Sequence, residues 1–426
     1  MPISQTQIGS GLFRGRAVYD DSVFHGIQED VSDDISMISP YETPLLSIIG
    51  DAQRPATNIW HEWVEEELNP NFFSINADVA STTTETNIRV KGGAERFLLS
   101  GMMLRTTTGE YMLVTAVGGP NSVGVTRGFT STDVTSLGAN SEIAIVHRAA
   151  VDGQDVLADT SRPRKRVGNV VAPHMQEIIV SDTDNAVLQH GGIVSEFDHQ
   201  TTNRMREALR DLNKSIILSR SHANTTNQDI LPGGATGPQR GNLIRGSETQ
   251  PRTMMGLLQM IHTNNITASI GNSRSVTDLG SFDDVVTDLC RRVYESGAED
   301  CDLVLVGDQI QRRFDLLNYN RTRTPQEEML FGTRVTRYQN NYGEFTVMQH
   351  RWMPRNKLLL LCTNRLAIAN LRGQSFHKEI VARTGAADKG MIVGHYTLEV
   401  RQEMGMGQMT FDDGSSTFSD APFLAP

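Results

Sequence analysis

VSEFDHQTTNRMREALRDLNKSIILSRSH, residues 194–222, is the stretch around which the rest of the chain is organised. Apolar or small side chains recur along it every three or four residues, which is the period of one face of an α-helix. Ser195 is the expected N-cap, and the negative charges of Glu196 and Asp198 in the first turn suit the helix dipole. The stretch predicts a helix of roughly 40 Å at ~1.5 Å per residue, with no Gly or Pro to bend it. The expected stripe comprises Val194, Phe197, Thr201, Met205, Ala208, Leu212, Ile216 and Ser219.

Two interpretations of this helix stay open at this point. It is long compared with the average globular helix, which suits a spine against which strands or neighbouring subunits lie. The other interpretation is an ordinary amphipathic helix that covers a sheet of the same chain. The pattern of side chains is the same in both cases.

Length and charge bound the class of protein. The chain has 426 residues, enough for two or three domains at ~150 residues each. Its formal net charge of −11 argues against a dedicated nucleic-acid-binding protein, which is normally basic. The densest basic run is RPRKR at 162–166. Such a run could bind phosphate groups or form a solvated, salt-bridging surface, and the sequence favours the second.

Cysteine usage and the N-terminal sequence indicate synthesis in a cytosol. Cys290, Cys301 and Cys362 are widely spaced and form no CxxC pair, zinc pattern or disulfide framework, which fits a reducing compartment. The N-terminal MPISQTQIGSGLFRGR lacks the apolar core of a signal peptide. No stretch reaches the ~20 apolar residues that a membrane helix requires. We therefore expect a chain that is made and kept in a cytosol.

Three kinds of segment precede the long helix. Residues 1–32 show no sustained period and are expected to form an extended arm. The segment 33–68 holds an apolar cluster that ends at Gly50 and an alternating strand at 58–64. From about 87 to 149, short β-type runs separated by turn residues predict a small inserted all-β domain, a barrel or a sandwich. The alternative is a continuous β-rich part of the main domain.

The chain after the long helix reads as a loop followed by an α/β unit. Residues 223–250 are rich in Gly, Pro, Asn and Thr and are expected to form a long loop. A strong helix is expected at 281–297, with Ser281 as N-cap and Gly297 as C-cap. The remaining expectations are helices at 253–264 and 307–320, a buried strand at 301–308, irregular chain at 322–342, and strands at 343–353, 357–363, 365–373, 377–384 and 391–403.

None of the sequence patterns typical of an enzyme is found. The sequence has no GxGxxG after a strand, no phosphate loop, no GxSxG and no HExxH. His61, the acid run at 65–67 and Cys290 are better explained as packed or solvated side chains than as a metal ligand, catalytic acids or a nucleophile. The run at 304–308 has no phosphate-cradling glycines around it. We therefore expect no enzyme activity and no catalytic, cofactor-binding or metal site.

Several short motifs resemble one family of proteins. The N-terminal ones are ISP at 38–40, TPLL at 43–46 and HEW at 61–63. They resemble the signature of a group of tailed-phage major capsid proteins, long filed as proteins of unknown function. The run VTRGFTSTDV at 125–134 resembles the stretch that closes an inserted β-domain in that group, with Ser131 where glycine is usual. The order of the parts also matches, from about 33 to 410.

The resemblance implies an α+β chain with the Hong Kong 97-like phage capsid fold. That fold has a long spine helix, an extended loop, and axial and peripheral domains, here with an inserted small all-β domain. The implied map is an N-terminal arm at 1–60, an extended-loop region at 61–190 with the insertion at about 87–149, the spine helix and following loop at 191–249, an axial domain at 250–372, peripheral-domain strands at 373–411 and a C-terminal tail at 412–426.

The function implied is structural. It is that of a major capsid protein, whose copies self-assemble into the icosahedral shell that encloses the genome of a tailed bacteriophage. Expected partners are copies of the chain in pentamers and hexamers, with portal, scaffolding or decoration proteins as further candidates. Viral DNA is expected to be enclosed without sequence-specific binding, with no cofactor and no membrane. The expected location is the virion, after assembly in the host cytoplasm.

Two other functions stay open from the sequence. One is a different virion component, such as a decoration or tail protein, which copy number and self-assembly into closed shells would distinguish. The other is a cytosolic hydrolase with an unrecognised site, which would require a pocket with convergent titratable groups.

Overall fold

The computed structural model describes residues 43–52, 54–83, 86–91, 93–150, 152–153, 155, 159–187, 195–221, 251–269, 276–297, 300–320, 328–330, 333–383 and 385–412. The predicted arm at 1–32 and the predicted loop at 223–250 lie outside these ranges. The α-helices are α1 (Pro44–Ile49), α2 (Asp182–Ala186), α3 (Glu196–Leu218), α4 (Leu257–Met260), α5 (Val276–Glu295) and α6 (Asp308–Asn320).

The strands fall into two groups along the chain. Those before the long helix α3 are β1 (Trp60–Glu65), β2 (Phe72–Ser74), β3 (Asn87–Arg89), β4 (Met102–Thr106), β5 (Tyr111–Val117), β6 (Ser122–Thr126), β7 (Glu142–Arg148), β8 (Lys165–Val170) and β9 (Ala172–Ser181). Those after it are β10 (Asn265–Ser269), β11 (Leu303–Val306), β12 (Glu328–Leu330), β13 (Thr333–Asn340), β14 (Gly343–Gln349), β15 (Lys357–Leu361), β16 (Leu366–Asn370), β17 (His377–Val381), β18 (Ala387–Val400) and β19 (Gly407–Asp412).

These strands form four sheets. A six-stranded antiparallel sheet in the order β2-β7-β4-β5-β6-β3 builds the inserted unit, which we call the barrel module (residues 72–148). The antiparallel pair β1-β8, which we call the ribbon, leads to it. A seven-stranded mixed sheet has the order β10-β19-β15-β11-β14-β13-β12. In the fourth sheet, β18 pairs with β16, β17 and β9.

The long helix α3 forms as its pattern predicts. The Ser195 side chain accepts a hydrogen bond from the backbone N–H of Asp198 at 3.4 Å, so the predicted N-cap is confirmed. The later part of the apolar stripe is buried, and Ala208 packs with strand residues of β9 and β18. The helix therefore packs on a sheet of its own chain, which agrees with both interpretations.

The helix ends at Leu218, four residues before the predicted end at 222. Ser219 is extended. Its hydroxyl donates to the Met254 carbonyl at 2.8 Å, and its own carbonyl accepts from the Gly256 N–H at 2.8 Å. A Cβ on Gly256 would lie 2.9 Å from the carbonyl oxygens of the last helical turn, so only glycine permits this approach. Residues 254–256 thus terminate the helix, which the periodicity of α3 could not show.

Three local predictions about the α/β unit are wrong. The segment at 322–342, expected to be irregular, contains β12 and β13. Its polar composition is outweighed by pairing with β14, where Tyr338 is buried and stacks on Phe345. Ser281 does not cap α5, because that helix already begins at Val276. The helix expected at 253–264 shrinks to the single turn α4.

Some strand pairs join segments that the implied map separates. Strand β19 (Gly407–Asp412), at the end of the segment 373–411, pairs with β10 and β15 in the seven-stranded sheet. Strand β16 lies within 250–372 but pairs with β18. The inserted sheet takes in β2, so it begins before residue 87. Each of these pairings joins strands far apart in sequence.

The cysteines require a correction. Cys301, just before β11, and Cys362, just after β15, are joined by a disulfide, although their spacing in the sequence predicts no disulfide framework. The antiparallel pairing of β11 with β15 places Leu303 opposite Leu361 and so brings the two cysteines together. Cys290 is free and buried.

The buried side chains form two large, separate cores. One contains the ribbon residues Trp60 and Trp63, the end of α3, and both faces of the seven-stranded sheet with α5 and α6. We call the part built on this core the main body. The other core belongs to the barrel module alone and comprises Phe73, Ile75, Val79, Ile88, Val90, Ala94, Leu98, Leu104, Met112, Val114, Val123, Val125, Leu137 and Ile143.

Candidate assembly surface

The ribbon is the element that carries the barrel module on the main body. Its register runs from Trp60 opposite Val170 to Glu65 opposite Lys165. Trp60 and Trp63, three residues apart, point to opposite faces of the strand, yet both are buried in the main core. His61, between them, lies with Nε2 3.8 Å from a carboxylate oxygen of Glu399 and with its ring 6.1 Å from that of Trp63. His61 is therefore a packed side chain of the ribbon.

The acid run and the basic run of the sequence meet across the ribbon. Glu67 pairs with Arg162 at 2.9 Å and with Lys165 at 2.8 Å, and Glu66 pairs with Arg164 at 3.4 Å. Partly exposed pairs of this kind add little stability, but they cancel charge locally. The salt-bridging interpretation of residues 162–166 is confirmed for these three cations.

Glu65 fastens the ribbon to the turn after β18. One carboxylate oxygen accepts hydrogen bonds from the Trp63 indole N–H at 2.9 Å and from the Gln402 backbone N–H at 2.8 Å. Burial raises the pKa of Glu65 above its ordinary value, against the opposing effect of these hydrogen bonds. The side chain acts as a structural acceptor at the base of the ribbon.

Asn169 is a second anchor at the base of the ribbon, and sequence analysis missed it. Its amide nitrogen donates to the carbonyls of Met255 and Leu398, both at 2.9 Å, and its oxygen accepts from the N–H groups of Met255 and Val170. The side chain is fully buried. An asparagine inside the apolar run VGNVV was the available signal, since buried amides are almost always hydrogen-bonded.

The barrel module has its own buried ion pair. Arg127 donates to both carboxylate oxygens of Glu110, through Nε at 2.6 Å and Nη2 at 2.8 Å, with both side chains fully buried. Arg127 also donates to the carbonyls of Ala80 and Thr135. Burial raises the pKa of Glu110, but hydrogen bonds from Arg127 and from the Thr135 and Gly128 N–H groups outweigh it and leave the pKa below its ordinary value. Arg127, from the VTRGFTSTDV motif, therefore holds together three segments of the barrel module, those that contain Ala80, Glu110 and Thr135.

The same motif carries strained backbone. Thr130 and Ser131 have φ of 64° and 61°, in the left-handed region that favours glycine. This accounts for the glycine that the resembling group usually has at the position of Ser131.

Large apolar side chains are exposed along the ribbon and the adjoining edge of the barrel module. Val64 is 60%, Leu68 90% and Phe72 51% exposed. Val146, on the strand that pairs with β2, is also exposed. Contiguous exposed apolar side chains rimmed by charge are typical of protein–protein contacts. We call this set the ribbon face.

A buried histidine joins α3 to the seven-stranded sheet. His350, after β14, accepts the Trp352 N–H at Nδ1 over 3.3 Å, and its Nε2 lies 3.1 Å from the side-chain amide of Asn213. Because Nδ1 accepts, the proton of the neutral ring is on Nε2, and the Asn213 amide accepts it when its oxygen, which has no other partner among the described residues, takes the place of the nitrogen facing the ring. Burial lowers the pKa of His350 to about 4. The Lys214 ammonium lies 4.1 Å from the centre of the Trp352 ring, beside this junction.

The residues weighed as catalytic candidates are not brought together. Burial raises the pKa of the Cys290 thiol to about 11, which leaves it unreactive. A Cβ at Gly307 would collide with the Pro354 carbonyl, so the chain after β11 is packed against a turn and has no room there for a phosphate. Across the described ranges, no group of three or more His, Cys, Asp or Glu side chains is placed to hold a metal ion. Within the same ranges, no helix has the length and apolar character to cross a bilayer.

Comparison with known proteins identifies a family. A family model described as SU10 major capsid protein matches residues 15–411. No curated protein matches.

Solved structures of low sequence identity were also found. The capsid of Myoviridae Phage XM1 is 10% identical over 90% of this chain and 97% of the other, with a TM-score of 0.45. A Mycobacterium phage Bobi chain is 9% identical over 91% and 96%, with a TM-score of 0.44. A chain of the Cyanophage A-1(L) capsid asymmetric unit is 12% identical over 90% and 96%, with a TM-score of 0.42.

Proposed function

Because this chain belongs to the SU10 major capsid protein family, we propose that its ribbon and barrel module lie on a neighbouring copy in the assembled shell. The family is structural, its members being the main subunits of phage capsids, and the virion is the location that follows. Membership agrees with the Hong Kong 97-like architecture expected from the sequence. The rest of the proposal concerns which surfaces of neighbouring copies are in contact.

The ribbon face supports this proposal most directly. Val64, Leu68 and Phe72 expose large apolar side chains on the ribbon and the adjoining edge of the barrel module. Burying an exposed leucine or phenylalanine contributes roughly 1.5–3 kcal/mol. A shell repeats each contact many times, so modest contacts sum to a durable assembly.

The axial and peripheral domains are assigned from the sheets. The seven-stranded sheet with α5 and α6 is the axial domain, whose copies meet in pentamers and hexamers. Helix α3 with β9, β16, β17 and β18 is the peripheral domain. The arm at 1–60 and the tail at 412–426 keep the roles that the resemblance implies.

The proposal includes a passive relation to DNA and no enzyme activity. A net charge of −11 and the pairing of Arg162, Arg164 and Lys165 with glutamates leave little surface to hold nucleic acid tightly. Assembly takes place in the host cytoplasm, with portal, scaffolding or decoration proteins as further partners.

The test is assembly of the purified full chain, followed by negative-stain electron microscopy and analytical ultracentrifugation. The wild type is expected to form closed shells, and Leu68→Glu to stop at free capsomers or monomers, because it places a charge in an apolar contact. Leu68 is already exposed, so melting temperature should change little. Thr115→Glu, at an exposed polar site of the barrel module, is the matched control and should assemble normally.

Two results would count against the proposal, and they differ. Normal shells from Leu68→Glu would remove the ribbon face from the contacts between copies. A wild-type chain that stays a monomer or dimer even with a co-expressed scaffold would instead favour a decoration protein or a hydrolase.

A further inference from the structure

Cys301 and Cys362 form a pair built into the middle of the seven-stranded sheet. Their Cα atoms are 4.1 Å apart, well inside the ~7 Å beyond which two cysteines cannot be bridged. The pair flanks the central strands β11 and β15, and Cys362 is fully buried while Cys301 is half-buried. The bond closes a loop between positions 61 residues apart that contains α6 and β12 to β14.

The same site also accommodates two thiols. Each sulfur lies 3.1 Å from the carbonyl oxygen of Gly405, so a thiol at either position has a hydrogen-bond acceptor. A buried polar group that keeps a partner avoids the desolvation cost. The reduced pair is therefore compatible with the same fold.

No other cysteine of the chain competes for this pair. The chain has three cysteines, and the third, Cys290, is buried in α5 with its pKa raised to about 11. Thiol–disulfide exchange requires a thiolate that can reach the sulfur it attacks. Cys290 is buried and is not part of the pair, whereas Cys362, though buried, lies next to Cys301. Oxidation of the chain accordingly has one intramolecular product.

The compartment sets the time at which the bond forms. A cytosol keeps thiols reduced, whereas disulfides persist outside the cell. We propose that Cys301 and Cys362 are thiols while the shell assembles and become a disulfide once the particle meets an oxidising medium. The timing rests on cytoplasmic assembly as proposed above. The disulfide then stabilises each subunit after assembly.

The reaction is a two-step exchange with a small-molecule disulfide. The thiolate of Cys301, the more accessible of the two, attacks one sulfur of the reagent, forms a mixed disulfide and releases one thiolate. The thiolate of Cys362 then attacks the Cys301 sulfur and releases the second. The two cysteines lose two electrons and two protons, and the reagent gains both to become two thiols.

The experiment compares the chain inside cells with the chain in released particles. Free thiols are alkylated at lysis, and intact mass and non-reducing peptide maps count them. In-cell chain should carry alkyl groups on Cys301 and Cys362. Particles incubated with oxidised glutathione before alkylation should lack both groups, be lighter by two hydrogen atoms than the reduced chain, and yield one Cys301–Cys362 crosslinked peptide.

Stability gives a second, independent readout. Reductant should lower the melting temperature of oxidised wild-type particles by roughly 5–10 °C, since the closed loop is long. It should leave Cys301→Ser unchanged, while the control Cys290→Ser should respond as wild type does. A disulfide already complete in the cell, no bond after oxidation, or no shift with reductant would each overturn the proposal. These readouts do not depend on the ribbon face, so they fail separately from the assembly proposal.

Discussion

The main body and the barrel module bury their polar groups in different ways. The most deeply buried polar side chains of the main body include neutral ones, the imidazole of His350 and the amides of Asn169 and Asn213, and the acids Glu65, Glu399 and Glu403 are buried there as well. The barrel module buries a charged pair, Glu110 with Arg127, beside a small core of its own. The two parts should therefore respond differently to mutation and to acid. Charging a buried neutral histidine is unfavourable, and so is removing one partner of a buried ion pair.

The largest expected effect is on the barrel module. Arg127→Met leaves the Glu110 carboxylate buried without its partner and should cost about 3–5 kcal/mol of module stability. Hydrogen exchange should show the barrel amides unprotected while those of α3 and β18 keep their protection. Arg148→Ala, at an exposed position of β7, is the control and should change neither. Joint loss of protection in both parts would show that the two cores unfold as one.

Acid should instead weaken the main body first. The pKa of His350 is about 4 when folded, below its ordinary 6.5, so stability is lost as pH falls from 6.5 toward 4, by about 3 kcal/mol at the lower end. Burial also lowers the pKa of His174 to about 4, despite the attraction of Asp211, and adds to the same loss. The pKa of Glu110 lies below its ordinary 4.5, so its contribution is present above pH 4.5 and is lost only below it.

Unfolding monitored separately in the two parts from pH 7 to 4 checks this difference. Protection of α3 should decline below pH 6.5, while that of β5 and β6 should hold to about 4.5. His350→Gln should flatten the decline in the main body. Equal slopes for both parts would contradict the assignment.

The smallest effect sharpens the comparison within the barrel module. Ser131→Gly removes a side chain from left-handed backbone and should stabilise the module by about 0.5–1 kcal/mol. The melting of the main body should not move. Ser141→Gly, at a residue of the same module whose φ is not positive, should give no gain. A destabilising Ser131→Gly would mean that the hydroxyl matters more than the backbone.

The sequence predicted the helices and strands far better than it predicted which strands pair. Helix α3 and its Ser195 cap follow from a local pattern, and strands β5, β6 and β7 follow from apolar runs between turns. The polar segment of β13 was missed because its strand form depends on β14. Asn169 was missed because three of its four hydrogen bonds reach residues on two other segments of the chain.

By itself the sequence determined the long helix, the self-contained β-insert, the order of parts and the family, since each rests on neighbouring residues or short motifs. Only the tertiary structure decided that residues 65–67 face 162–166, that β16 and β19 pair with strands of segments that the map separates, and that Cys301 meets Cys362. The physical reason is that strand pairing is a contact between distant segments. Its register is set by packing and hydrogen bonds across the sheet, and no period within one segment encodes it.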